Sequence, residues 1–102
     1  MIRLSVLYPA TEGARFDKDY YMANHIPLCR EKLGDALRGV SVAFGVSGAA
    51  PGSPAPYVCI AHLDFDSVES FQQAFMGAAP ALGADLKNYS DIQAVVQVSE
   101  VA

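Results

Sequence analysis

The chain has 102 residues, 52% hydrophobic and 18% charged, which is too apolar for a disordered segment and the right size for one domain spanning residues 1–102. Seven Lys+Arg against eleven Asp+Glu give a net charge of −4, and the basic residues Arg3, Arg15, Lys18, Arg30, Lys32, Arg38 and Lys87 are scattered along the chain. That distribution argues against nucleic acid and anionic membrane surfaces as partners, and no apolar run approaches the roughly 18 residues needed to span a bilayer. The opening Met1-Ile2-Arg3-Leu4-Ser5-Val6 lacks the parts of a signal peptide, so a cytoplasmic location is expected. Cys29 and Cys59 are then expected as buried thiols rather than a disulfide.

Ile2, Leu4, Val6 and Tyr8 alternate with Arg3, Ser5 and Leu7, the period of a strand with one strongly apolar face, which Pro9 stops. After the loop Thr11–Ala14, Asp17 is a plausible N-cap and Asp19 suits the first helical turn. Met22, Ile26, Cys29 and Leu33 form a core-facing helical stripe. Pro27 interrupts it, because proline has no N–H and crowds the carbonyl of Ala23, so a kink or break is expected around Asn24-His25-Ile26. Gly34 suits the C-cap.

Period 2 returns from Leu37 to Val46, with Val40, Val42, Phe44 and Val46 on one face. Gly48–Pro56 holds three prolines and no charge, and is expected to be the mobile loop of a long hairpin without chemistry of its own. Tyr57–Phe65 reads as the third strand, with Tyr57, Cys59, Ala61, Leu63 and Phe65 on one face. Asp66-x-x-Glu69 resembles a capping box, and Val68, Phe71 and Phe75 mark a second helix that Gly77 and Pro80 should end or bend. Ile92, Ala94, Val96 and Val98 form the last strand. The order β-α-β-β-α-β is the ferredoxin-like plan of α+β proteins, a four-stranded antiparallel sheet with two helices on one face.

Two helices leave the other sheet face open. It should carry Arg3, Ser5, Leu7, Gly39, Ser41, Ala43, Val58, Ile60, His62, Gln93, Val95 and Gln97. That mixture of small, apolar and polar side chains suits a partner surface, most simply the same face of a second subunit.

No phosphate-binding glycine loop, zinc spacing or nucleophile elbow is present, and no nicotinamide, flavin or haem signature, so no cofactor is expected. The best constellation is Phe16-Asp17-x-Asp19-Tyr20-Tyr21-x-x-Asn24-His25-x-Pro27-Leu28. Tyr21 and His25 are four apart and share a helix face; the histidine can exchange protons near neutral pH and a phenol can orient a substrate oxygen. Equally, His25 can simply donate to the carbonyl that Pro27 orphans. Tyr20 and Phe16 read as packing residues, and His62 as an interface hydrogen-bonding group. Asp85 and Tyr89 are placed to close a pocket, with Asn88 explained by turn chemistry.

Leu4-Ser5-Val6-Leu7-Tyr8-Pro9, the Tyr20-Tyr21-x-x-Asn24-His25-x-Pro27-Leu28 block and Asp85-x-x-Asn88-Tyr89-Ser90-Asp91-Ile92-Gln93 together resemble the EthD family, named for ethyl tert-butyl ether degradation. Such proteins are similar to dimeric α+β barrels, a superfamily with cofactor-free monooxygenases and muconolactone-type isomerases. The resemblance implies a small homodimer in catabolism or oxidative metabolism and marks His25 and its tyrosine neighbours as motif residues. Two functions stay open. One is a cofactor-independent enzyme (isomerase, dehydratase or monooxygenase-like) acting on a small, largely apolar oxygenated molecule. His25 would be its acid/base, with Tyr21 or Tyr89 positioning the substrate. The other is a non-catalytic binding or scavenging protein accompanying an oxygenase system. Phe44, Phe71, Phe75 and the tyrosines would line an apolar pocket in either case.

Overall fold

Apolar alternation builds four strands, and the computed structural model, which describes residues 1–102, places them at β1 (Ile2–Pro9), β2 (Gly39–Phe44), β3 (Tyr57–Phe65) and β4 (Val95–Glu100). They pair antiparallel in the order β2-β3-β1-β4. The helices are α1 (Lys18–Tyr20) and α2 (Ile26–Leu33), joined through a π-helical turn at Tyr21–His25, and α3 (Val68–Asp85). The first two form one helical arm, so the ferredoxin-like plan holds, with both arms on the apolar sheet face. Leu4, Tyr8, Cys59, Ala61, Leu63 and Phe65 are buried beneath them, as the strand parity requires. Cys29 and Cys59 are buried free thiols. No helix is long and apolar enough to cross a membrane.

Several boundaries differ from expectation, each for a local reason. β2 is shorter than Leu37–Val46, and beyond it Gly45 N–H donates to Val58 O as the chain leaves the strand. The loop that follows is tied by backbone bonds from Gly48 N–H to Ser53 O (3.0 Å) and Ser53 N–H to Ala50 O (3.1 Å). The α3 N-cap is Ser67, whose side chain accepts from Ser70 N–H, while Asp66 pairs with Arg38 instead of forming the capping box. Gly77 and Pro80 do not end α3. Proline has no N–H for the Met76 carbonyl, but Met76 and Pro80 both lie on the exposed face, where water can bond the freed oxygen. β4 begins only at Val95, so Ile92, Gln93 and Ala94 precede it, although Ile92 is still buried.

The π-turn is the largest departure. Met22 is 44% exposed, not part of the core stripe, and Tyr21 and His25 take the inward positions beside Ile26, Cys29 and Leu33. Ile26 N–H bonds back five residues to Tyr21 O. This wider turn adds one residue, which shifts everything upstream by about 100° on the helix.

On the open sheet face the register forms three rows. Ala43, Ile60, Leu7 and Val95 make an apolar row; Ser41, His62, Ser5 and Gln97 a polar one; Gly39, Asp64, Arg3 and Ser99 the third. His62 Nδ1 and Ser5 Oγ are hydrogen-bonded at 2.9 Å, and Arg3 pairs with Asp64 at 2.7 Å and 3.1 Å. On the helix side the cover stops short of β4, leaving Val96 59% and Val98 43% exposed.

The Arg3 hydrogen bond holds the Asp64 carboxyl below its ordinary value of 3.8, outweighing partial burial. A depressed carboxylate contributes stability above its unfolded value and loses it as pH falls through the folded one. Thermal melts between about pH 2 and 6 should show a shallower acid limb for Asp64→Asn than for wild type. Superimposable limbs would show that the pair does not couple to folding.

Candidate functional site

Two sequence-distant segments are brought together at the end of the helical arms. Asp17 N–H donates to Tyr89 O (2.7 Å), Phe16 bridges Ser90, and Ser90 Oγ donates to Arg15 O (2.8 Å) while accepting from Ile92 N–H (3.0 Å). Arg15 closes the clamp, its backbone N–H on Asp91 (2.8 Å) and its guanidinium on Lys87 O (2.8 Å). Tyr89 is thereby fixed against the π-turn. Asp17 caps α1 through Tyr20 N–H (3.0 Å) and so orients the start of that turn.

The π-turn points Tyr21 and His25 at Tyr89. The rings of Tyr21 and His25 stack at 5.2 Å, His25 and Tyr89 lie 4.6 Å apart, and Tyr8 and Phe16 complete the cluster, 5.8 Å and 5.1 Å from Tyr21. Within it runs a line of hydrogen bonds. His25 Nδ1 is 2.8 Å from Asp85 Oδ2, His25 Nε2 is 3.5 Å from the Tyr89 hydroxyl, and that hydroxyl is 2.9 Å from Tyr8's. Asp85 Oδ1 also accepts from Tyr20 O–H (2.7 Å) and from Asn88 Nδ2 (3.0 Å).

His25 is 6% exposed and Asp85 is half-buried at the end of α3. Burial works to raise the Asp85 carboxyl, but the bonds from Asn88, Tyr20 and His25 together hold it below the ordinary 3.8. Asp85 is therefore an anion near neutral pH, able only to accept, so the proton between the two groups sits on His25 Nδ1. Burial raises the phenols of Tyr21, Tyr89 and Tyr8, the last against the hydrogen bonding of Tyr89 and Tyr21. It also pushes the Cys29 thiol up to about 11 and Cys59 to about 12. No three His, Cys, Asp or Glu side chains converge to hold a metal ion.

A cleft of about 180 Å³ lies beside this network, between α3 and the sheet. Its walls are apolar side chains such as Leu4, Leu63, Phe75, Leu82 and Val96, with Tyr8, Tyr89 and Cys29 the residues bearing a hydroxyl or thiol. Two wider surface hollows, beside Ser67–Ala74 and Thr11–Ala14, share no residue with the network.

Of the residues singled out in the sequence, His25, Tyr21, Asp85 and Tyr89 meet in this cluster, and Phe75 lines the cleft. His25 itself does not line it. Phe71 lies behind Phe75, stacked on it at 5.3 Å, and Phe44 packs on Phe16 at 6.3 Å under the Lys18 ammonium, so neither reaches the cleft. Tyr20 is more than a packing residue, because its hydroxyl binds Asp85. Tyr8 and Ser90 stand in the family-like stretches, but the sequence assigns neither an individual role. A tyrosine ending a strand before proline reads as packing, and Ser90 acts through a cross-chain clamp that no local spacing displays.

The model for the EthD domain matches residues 12–93. An EthD-like protein from Ralstonia eutropha is 40% identical, with a TM-score of 0.93 over 98% of this chain and 90% of that one. An ethyl tert-butyl ether degradation family protein from Bacillus halodurans is 25% identical, with a TM-score of 0.77 over 100% and 99%. A dimeric ferredoxin-like protein of unknown function from Thermobifida fusca shares the fold at 17% identity and a TM-score of 0.59, over 98% and 90%. Among curated proteins none matches the chain.

Removing the Asp85 acceptor tests the network's contribution to stability. Asp85→Ala should cost about 1–3 kcal/mol by stranding His25 Nδ1–H inside the fold, and Asp85→Asn, which keeps one acceptor oxygen, should cost less. Urea denaturation at neutral pH measures both. Equal midpoints for Asp85→Ala and wild type would contradict the assignment.

Proposed function

The chain belongs to the EthD family, and we propose that it is a cofactor-independent enzyme acting on a small, largely apolar oxygenated molecule, with His25 as its acid/base. One observation carries this reading: a buried histidine, held at Nδ1 by an ionised aspartate, turns its other nitrogen toward a phenol of an apolar cleft. A carboxylate on Nδ1 fixes the tautomer and stabilises the imidazolium that forms when Nε2 takes a proton. The fixed Tyr21 ring stacks on His25 and restricts its rotation. An apolar lining selects a largely hydrocarbon ligand. A volume near 180 Å³ suits a small one, since an engineered apolar cavity of about 150 Å³ takes up benzene.

The same reading includes a homodimer through the open sheet face. Support comes from the row Ala43, Ile60, Leu7 and Val95, which presents apolar side chains beside the hydrogen-bonded Ser5–His62 row. The Thermobifida fusca protein of the same fold is described as dimeric. Sedimentation at micromolar concentration should give twice the chain mass of 10.8 kDa. Ile60→Asp or Val95→Asp should weaken association by roughly 3–5 kcal/mol through a buried unpaired charge. A wild-type particle at the single-chain mass would sink the dimer.

The catalytic reading is tested by His25→Asn, with a thermal melt run beside a turnover screen of small ketones, ethers, lactones and phenols. The variant should keep its fold and lose about 10²–10⁴ in rate on any compound the wild type converts. That His25 does not line the cleft favours the second reading, a non-catalytic binding protein. Tight binding without turnover by the wild type would establish it. A collapse in melting temperature with unaltered ligand response would make His25 structural.

A further inference from the structure

The line of hydrogen bonds through His25 has a direction, and that direction limits what the cleft can bind. Resting on the reading of the cleft as the ligand site, we propose that Tyr8 is the ligand-facing catalytic residue. It takes a proton from a hydroxyl-bearing ligand, and His25 acts only through Tyr89.

The direction is set at Asp85. Its carboxylate accepts three hydrogen bonds, from Tyr20, Asn88 and His25. When His25 holds a single ring hydrogen, the ionised Asp85 keeps it on Nδ1 and Nε2 is left as an acceptor. The Tyr89 hydroxyl is the group within reach of Nε2, so Tyr89 O–H donates to it. Tyr89 has no hydrogen left for Tyr8, and across the 2.9 Å contact Tyr8 O–H must donate to the Tyr89 oxygen. Both phenolic hydrogens are then committed inward. The Tyr21 hydroxyl also bonds Tyr8 and donates to it, so what remains for a ligand is one lone pair of the Tyr8 oxygen, in a cleft whose other walls are apolar apart from the Cys29 thiol. A ligand hydroxyl satisfies that end, whereas a carbonyl or ether oxygen meets another acceptor.

Run forward, the arrangement is a base. The ligand O–H bond breaks with its electron pair left on the ligand oxygen, and the proton joins Tyr8 oxygen. In the same movement Tyr8's own proton passes to Tyr89 and Tyr89's passes to His25 Nε2. The imidazolium formed faces the Asp85 carboxylate at 2.8 Å. Burial disfavours a phenolate on either tyrosine, so neither stores the charge on the way. The volume of about 180 Å³ holds a ligand near the size of one six-membered ring.

Phenol, toluene and benzaldehyde are matched in size and differ in the group they offer, and binding of each can be followed through the amide resonances of Leu82, Gly83, Leu86 and Ala94 at the cleft. Wild type should bind phenol about tenfold more tightly than toluene, one hydrogen bond's worth, with no gain for benzaldehyde. Tyr8→Phe should erase the phenol gain and leave toluene unchanged, showing that the cleft survives. Tyr89→Phe should free the Tyr8 hydrogen and shift the preference to benzaldehyde, which a merely structural tyrosine would not do. A wild-type preference for benzaldehyde, or a phenol gain that survives Tyr8→Phe, would overturn the proposal while leaving the cleft as the ligand site. If none of the three probes perturbs the cleft residues, the cleft reading falls and this inference with it.

Discussion

Pro27 has no N–H, and the site depends on how the helix absorbs that loss. In a regular helix the Ala23 carbonyl would be both orphaned and crowded by the proline ring. The chain instead widens into the π-turn Tyr21–His25 and resumes a regular helix at Ile26. The extra residue rotates the upstream helix, so that Tyr21 and His25 are buried and Met22 is exposed. In this turn His25 faces Asp85 at the end of α3. A local backbone defect, required by one residue, thus determines which side chains reach the interior.

The second requirement is the length of α3. Had it ended near Gly77, Asp85 would not lie within reach of His25. It runs on to Asp85 with Pro80 on the exposed face and Ala78 fully buried in the core. Past the helix, the Arg15 and Ser90 clamp returns Tyr89 to the same place. The network is therefore assembled from both helical arms and from the end of β1. Each of its partners is held by backbone that has its own structural reason to be there.

Strand periodicity made the sheet legible: the parity of Leu4, Cys59, Ala61 and Leu63 is the buried one, and the element order follows. Helix boundaries were less legible. Serine and aspartate at adjacent positions both suit an N-cap; Ser67 takes the role, and Asp66 pairs with Arg38. The motif at Tyr20–Leu28 pointed to His25 and Tyr21, but periodicity at 3.6 residues per turn could not anticipate a wider turn and so misplaced Met22. Asp85 and Tyr89 could be suspected. Their tie to His25 could not, because it spans 60 and 64 residues of sequence. Phe44 and Phe71, expected in a pocket lining, line none of the clefts, since aromatic character alone does not say which side of a core a ring will join.

In the proposed network Asp85 sets the direction of a hydrogen-bonded line from α3 to the cleft. Neutron diffraction from a deuterated crystal at neutral pH reads that direction atom by atom. Deuterium should lie on His25 Nδ1 toward Asp85, with Nε2 bare, the Tyr89 deuteroxyl aimed at Nε2, and Tyr8's aimed at Tyr89. Deuterium on Nε2, or a deuterated Asp85 carboxyl, would contradict that direction.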